Sequence, residues 1–253
     1  MTDRGALVGY TVDRGIAHVV LDSPHNRNAL SRQLCADLDA RLAAAAGDPA
    51  VRAVELTHNG PVFCAGADLS EAADGPPATD AMLGLLRRIV EMPKPVVARL
   101  DGHVRAGGLG LVGAADIALA SPGVSFAFTE VLIGVAPAMI TLTTLGRMTA
   151  RAAGRYLLTG ETFDAATAAE AGLITAAVEE LNGPLADLYE QFRKCSPQGL
   201  AETKALLTRS TRAAIDRDAD DLAALSARLF DTGEAQEGIR AFLEKRSPDW
   251  VLD

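Results

Sequence analysis

Aromatic residues make up only 4% of this 253-residue chain, with seven Phe, three Tyr and one Trp. Its core must therefore be built mainly from Ala, Val, Leu and Ile. Cysteine is also scarce. Cys35, Cys64 and Cys195 are widely spaced, odd in number and form no C-x-x-C pair. That argues against a disulfide framework or a structural zinc site, and no metal site is expected. Reduced thiols in a cytoplasm fit better. Positive charge is in deficit: 24 Lys and Arg face 33 Asp and Glu, a formal net charge of -9. Such a chain repels phosphate backbones overall, so nucleic acid is a poor candidate partner. Met1–Gly5 leads into no apolar stretch, and no secretory signal is expected. The most apolar window, Val131–Leu145, is too short to span a bilayer and is interrupted by Gly134 and Pro137. It is expected to be a buried segment, with no membrane partner.

What is present is the ordinary balance of a folded protein, 49% hydrophobic and 23% charged. The length suits one large domain, or one domain with an appendage. Leu7–Val12 and Ile16–Leu21 read as a hairpin around Asp13-Arg14-Gly15. Ser31 caps an expected helix to about Ala46, with Leu34, Leu38 and Leu42 on one face. Val51–Leu56, Val62–Cys64, Val96–Leu100, Ile117–Ala120 and Ser125–Phe128 read as strands. Helices are expected around Met82–Ile89, from Gly108 and from Asp164, with a loop at 72–80. Strand–strand–helix order recurs, which suggests a stacked α/β arrangement. Beyond about residue 182 the chain reads as helix throughout. The expected division is therefore a core over 1–182 and a helical region over 183–253.

Two segments are chemically suggestive: Val62-Phe63-Cys64-Ala65-Gly66-Ala67-Asp68-Leu69, and Asp101-Gly102-His103-Val104-Arg105-Ala106-Gly107-Gly108. Each brings small residues to a place where the backbone lies open. Two such segments can aim two peptide N–H groups at one oxygen, as an activated carbonyl requires.

With Asn28-Ala29-Leu30-Ser31, Pro93-Lys94-Pro95-Val96-Val97-Ala98, Asp116-Ile117-Ala118, Leu158-Thr159-Gly160, Ala171-Gly172-Leu173-Ile174 and Phe242-Leu243-Glu244-Lys245-Arg246 in the same order, the chain resembles the crotonase family, the enoyl-CoA hydratase/isomerase superfamily. The resemblance implies an α/β fold, a spiral of ββα units followed by a C-terminal helical region used in subunit contacts. It also implies an acyl-CoA thioester as ligand, with no cofactor beyond the coenzyme A of the substrate, and a homotrimer or dimer of trimers. By position it assigns oxyanion donation to the N–H groups of Ala67 and Gly107, with Gly108 beside them at a helix N-terminus. It places Ala65, Asp68 and Leu69 at the adenine pocket. Phe242 and Lys245 are expected to reach the ligand from the C-terminal helix of a neighbouring subunit. Arg27 is expected at a phosphate.

The resemblance makes Glu130 the acid/base. The two-glutamate hydratases carry a first glutamate where this chain has Gly110, and the sequence looks closer to single-glutamate hydratases. The implied activity is enoyl-CoA hydration. The alternatives are a Δ3–Δ2 enoyl-CoA isomerase working with Glu130 alone, or an acyl-CoA-binding protein without turnover. The lysine frequent in the family after Leu69 is Ser70 here. His103 and Arg105 are read first as packing residues, with contact to a polar acyl tail as the other reading. His18 is read as structural, and Cys64 has no histidine pattern that would make it a nucleophile.

Overall fold

The computed structural model describes residues 5–74 and 79–252. The chain opens with a hairpin of β1 (Val8–Asp13) and β2 (Ile16–Leu21), paired from Val8↔Leu21 to Asp13↔Ile16. Arg14 and Gly15 take φ of 42° and 83°, as a two-residue hairpin turn matched to strand twist requires. α1 (Arg32–Gly47) starts at Ser31, whose side chain accepts from the Leu34 N–H at 3.2 Å. Its Leu34, Leu38 and Leu42 are buried as their spacing demands.

The next elements come in three pairs of strands. β3 (Ala53–His58) is followed by β4 (Val62–Cys64), a 3-10 turn at Leu69–Asp74 and α2 (Thr79–Glu91). β5 (Val96–Leu100) is followed by β6 (His103–Arg105) and α3 (Gly107–Ala114). β7 (Ile117–Ala120) is followed by β8 (Ser125–Ala127), a 3-10 turn at Thr129–Ile133 and α4 (Thr141–Thr144). In each pair the first strand joins one sheet and the second joins another. α5 (Ala150–Thr159), β9 (Phe163–Asp164), α6 (Ala165–Glu170) and β10 (Ala176–Ala177) complete the core. The large sheet has the order β1-β2-β3-β5-β7-β10, and the small one β4-β6-β8-β9. The pairings β2–β3, β3–β5, β5–β7 and β4–β6, β6–β8 are all parallel. The chain thus coils forward one ββα unit at a time, as the resemblance implied.

With few aromatics, the core is mostly aliphatic, with Phe63, Tyr189 and Phe192 buried singly and one aromatic cluster around Phe163. Phe126, Phe128 and Tyr156 all stack on Phe163, with ring centroids 5.7, 6.3 and 4.1 Å away. Four helices follow: α7 (Asn182–Lys194), α8 (Pro197–Leu207), α9 (Arg209–Phe230) and α10 (Gly233–Glu244). They are fastened to the core by polar groups. Buried Lys204 on α8 donates to the carbonyls of Ile89 (2.7 Å) and Lys94 (2.9 Å) and pairs with Asp116 at 2.8 Å. Tyr189 on α7 donates to Glu55 of β3 at 2.5 Å.

Two expectations are corrected. The segment Val131–Leu145 is not uniformly buried: Leu132 and Leu145 are 48% and 50% exposed, because this stretch crosses the molecular surface between β8 and α5. The loop expected at 72–80 is bounded by structure on both sides, since 69–74 form a 3-10 turn and Thr79 opens α2. Residues 75–78 lie outside the described residues. Among the described residues no helix is long and apolar enough to cross a membrane.

Candidate active site

The two small-residue segments meet. Gly66 follows β4 with φ of 88°, and a Cβ placed on it would lie 2.6 Å from the Ala106 Cβ and 3.2 Å from the Gly107 nitrogen. Only glycine permits both that conformation and that approach. The Leu30 N–H donates to the Gly66 carbonyl at 2.7 Å, which fixes the loop against the chain entering α1. Gly107 is the first residue of α3, where N–H groups have no partner within the helix. Among the described residues no carbonyl or side chain accepts from the N–H of Ala67 or of Gly107. Ala106, just before, is held at φ 46°, ψ -122°, a strained setting for a residue with a Cβ.

These segments line a cleft of about 910 Å³. The structure brings Arg27, Ala65, Ala67, Asp68, Leu69, Gly107, Glu130, Phe242 and Lys245 together on its walls. Gly108 is not among the lining residues. A Cβ there would lie 2.8 Å from the Cys64 Cβ, so Gly108 is where α3 rests on β4. Phe242 and Lys245 reach the cleft of their own chain, because α10 packs on the 3-10 turn that carries Glu130. That contact is close: a Cβ on Gly238 would lie 2.5 Å from the backbone of Ile133.

Glu130 sits at the start of the turn after β8, and the Gly134 and Val135 N–H groups both close on its carbonyl. The residue is half-buried, but its Oε2 is buried and has no hydrogen-bond partner. Desolvation pushes its carboxyl up to about 7. A carboxyl so placed can hold or release a proton near neutrality.

Asp68 behaves differently. Burial raises its pKa, but hydrogen bonds from Ser70 and Asn26 overcome that and hold it below the usual carboxylate range. Its two oxygens take the Ser70 Oγ (2.6 Å) and Asn26 Nδ2 (3.0 Å), so it ties the two loops at the mouth of the cleft. Arg27 and Lys245 are exposed at that mouth, and among the described residues neither has an ion-pair partner. Both take positive φ, 59° and 56°, which turns the chain at the cleft edge. Cys64 is buried, with its thiol pushed up to about 12, which suits packing and not nucleophilic attack.

Gly110 is decisive for the missing carboxylate. A Cβ there would lie 2.7 Å from Ile140 Cγ2 and 3.0 Å from Met82 Cε. Two apolar side chains occupy the direction a longer residue would take. Sequence reasoning missed Met82 and Ile140 as cleft residues, since only tertiary packing brings α2 and the approach to α4 together there. Among the described residues no group of three or more His, Cys, Asp or Glu is disposed to hold a metal ion. A second hollow of about 1110 Å³ between α1, α2 and α9 touches the cleft at Cys35 and Thr79. Of the arginines along it, Arg87 and Arg88 are paired with Glu91, Asp216 and Asp39.

Comparison with known proteins agrees with this geometry. Residues 11–252 match the family model described as enoyl-CoA hydratase/isomerase. The chain is 31% identical to the 2,3-dehydroadipyl-CoA hydratase of Escherichia coli K12, covering 92% of this chain and 93% of that protein. It is 32% identical to the zebrafish (Danio rerio) mitochondrial enoyl-CoA hydratase domain-containing protein 3, covering 93% and 84%. The crystal structure of an enoyl-CoA hydratase from Mycobacterium avium superimposes with a TM-score of 0.91 at 53% identity, covering 98% of this chain and all of that one. With ββα coiling, converging glycine segments and a match over nearly its whole length, the chain belongs to the enoyl-CoA hydratase/isomerase family.

Proposed function

We propose that this protein is an enoyl-CoA hydratase, adding water to a 2-enoyl-CoA thioester or removing it from the product. The N–H groups of Ala67 and Gly107 receive the thioester oxygen. The α3 N-terminus adds its positive end to the second donor. Arg27 and Lys245 meet the phosphates of coenzyme A, and Phe242 packs on the ligand. Coenzyme A arrives as part of the substrate, and the chemistry calls for no further cofactor. As water attacks C3, ionised Glu130 takes a water proton, and the C2=C3 electrons move toward the thioester oxygen as an enolate. Protonated Glu130 then returns a proton to C2. Losing one oxyanion donor typically removes ~3–4 kcal/mol of barrier lowering.

The observation that carries this reading is the buried, unpartnered Oε2 of Glu130, on a carboxyl raised to about 7, in the same cleft as the two free N–H groups. A second reading, Δ3–Δ2 isomerisation, is favoured by Gly110. Ile140 and Met82 leave no carboxylate to position water there, and carrying a proton between C4 and C2 needs none.

The purified protein should be offered crotonyl-CoA and a 3-enoyl-CoA. Falling 2-enoyl absorbance means hydration, and its rise from the 3-enoyl substrate means isomerisation. Binding without either leaves a carrier protein. Glu130→Gln should lower turnover by roughly 10²–10⁴-fold. Full activity in that variant would remove Glu130 from the reaction. For hydration, kcat/KM should rise with pH through about 7, since the base must be ionised. We also propose a homotrimer or dimer of trimers, motivated by exposed Leu132, Phe242, Leu243, Val251 and Leu252. Light scattering would then give three or six times 26.4 kDa.

A further inference from the structure

Among the described residues three Lys or Arg side chains line the cleft, and one of them differs from the others. Arg27 and Lys245 are exposed at its mouth, whereas Arg105 is half-buried on β6, two residues before Gly107. Its side chain is fixed. Nη1 donates to the carbonyls of Val104 (2.9 Å) and Ser125 (2.7 Å), and Nη2 donates to Ser125 Oγ (2.8 Å). His103 Nδ1 accepts from the Ser125 N–H at 3.2 Å and lies 3.0 Å from the same hydroxyl. Every acceptor on Arg105 is neutral, and among the described residues no carboxylate pairs with it. Burial therefore bears on an uncompensated charge and pulls its pKa below the ordinary guanidinium value.

Counting one proton per bond, Nη1 is fully used and Nη2 half used. Among the described residues the Nε–H and the second Nη2 proton meet no acceptor. Together they form the lateral fork of a guanidinium, whose spacing matches the two oxygens of a carboxylate. Strand geometry advances about 3.3 Å per residue, so the Arg105 backbone lies within ~7 Å of Gly107 along the chain. The phosphates of coenzyme A are separated from the thioester by the whole pantetheine arm, and they already have Arg27 and Lys245.

We propose that Arg105, positioned by Ser125, is a specificity-determining residue that binds a carboxylate on the acyl part of the substrate, so that the preferred substrates are carboxylated enoyl-CoA thioesters. This rests on the reading of the cleft as an acyl-CoA site. The packing role first read for Arg105 accounts for three of its donors and leaves the fork and the charge unanswered.

The test compares glutaconyl-CoA with crotonyl-CoA in the wild type, Arg105→Met and Arg105→Lys, the last being the safer variant for folding. The wild type should prefer glutaconyl-CoA in kcat/KM. Arg105→Met should cut that preference at least about tenfold, as loss of a charged hydrogen-bond partner does, and Arg105→Lys should recover part of it. Equal losses on both substrates, or no change in the ratio, would overturn the proposal. Calorimetry with glutaryl-CoA, butyryl-CoA and their 3′-dephospho forms separates the failures. If the wild type binds both acyl-CoAs equally, the subsite is refuted while the cleft reading stands. If it binds neither, the cleft reading itself is refuted. If the effect of Arg105→Met disappears with the 3′-dephospho forms, the anion is the phosphate and the proposal fails.

Discussion

At the scale of single residues, the site trades stability for chemistry. Glu130 is held in a setting that favours its neutral form, with a pKa of about 7 against 4.5 for a free glutamate. The folded state therefore binds a proton more tightly than the unfolded chain between those values. By linkage, stability is highest below about pH 4.5 for this group and falls as pH rises through 7, by about 3 kcal/mol in all. Glu130→Gln removes that slope. Its melting temperature should exceed that of the wild type more at pH 8 than at pH 5, and an equal difference at both pH values would refute the assignment. Gly110 gives the opposite case. Gly110→Glu must displace Ile140 and Met82, 2.7 and 3.0 Å from the new Cβ, and bury a charge among apolar atoms. It should destabilise by about 1–3 kcal/mol or more without raising hydration. Gly110→Glu with Ile140→Ala should recover part of the loss in a denaturant melt. The sequence alone showed that a carboxylate was missing at 110. It did not show that the space was filled, because Ile140 and Met82 are distant in the chain.

At the scale of elements, the helix that closes the cleft is seated by absent side chains. A Cβ on Gly238 would lie 2.5 Å from the backbone of Ile133, and one on Gly134 would lie 2.8 Å from the backbone of Glu234. Neither neighbour can yield as a flexible side chain would. Gly238→Val should push α10 away from the turn bearing Glu130 and withdraw Phe242 and Lys245 from the cleft. Affinity for coenzyme A thioesters should drop at least about tenfold, as loss of a charged contact and its packing implies. Far-ultraviolet dichroism should change little, since β1 to β10 lie outside this contact. Elements with strong local signals were legible: the Ser31 cap, the leucine face of α1 and the Asp164 cap, whose side chain accepts from Thr167 at 2.8 Å. Two short pieces, β6 and β9, were not. β9 has two residues and exists only because β8 accepts it, whereas β10 falls within Leu173–Val178, which reads as extended. β6 was obscured for a similar reason, with His103 and Arg105 flanking a single buried Val104.

At the scale of the whole molecule, coiling places the site where distant parts of the chain meet, and polar fastenings hold the helical region to the spiral. Order along the chain was enough to read the ββα progression. The closure of α10 over its own cleft depends on surfaces that no local pattern reports. One fastening gives a pH-dependent test of the assembled fold. His18 on β2 contacts Glu55 on β3 at 2.8 Å, and Glu55 in turn accepts from Tyr189 of α7 at 2.5 Å. The hydrogen bond from His18 to Glu55 raises the histidine pKa despite partial burial. Burial raises that of Glu55, but its bonds from His18 and Tyr189 outweigh this and lower it. The histidine contribution is fully present below 6.5 and is lost as pH rises through its higher folded value. The glutamate contribution is present above 4.5 and is lost as pH falls through its lower folded value. Both hold together between about pH 4.5 and 6.5. A double-mutant cycle of His18→Gln and Glu55→Gln should show a coupling of about 1–2 kcal/mol in that window, with His18 partly solvent-screened. The coupling should shrink toward pH 3 and toward pH 9. A coupling flat across the range would mean that the contact is a neutral hydrogen bond, and that charge plays no part in joining His18 to Glu55.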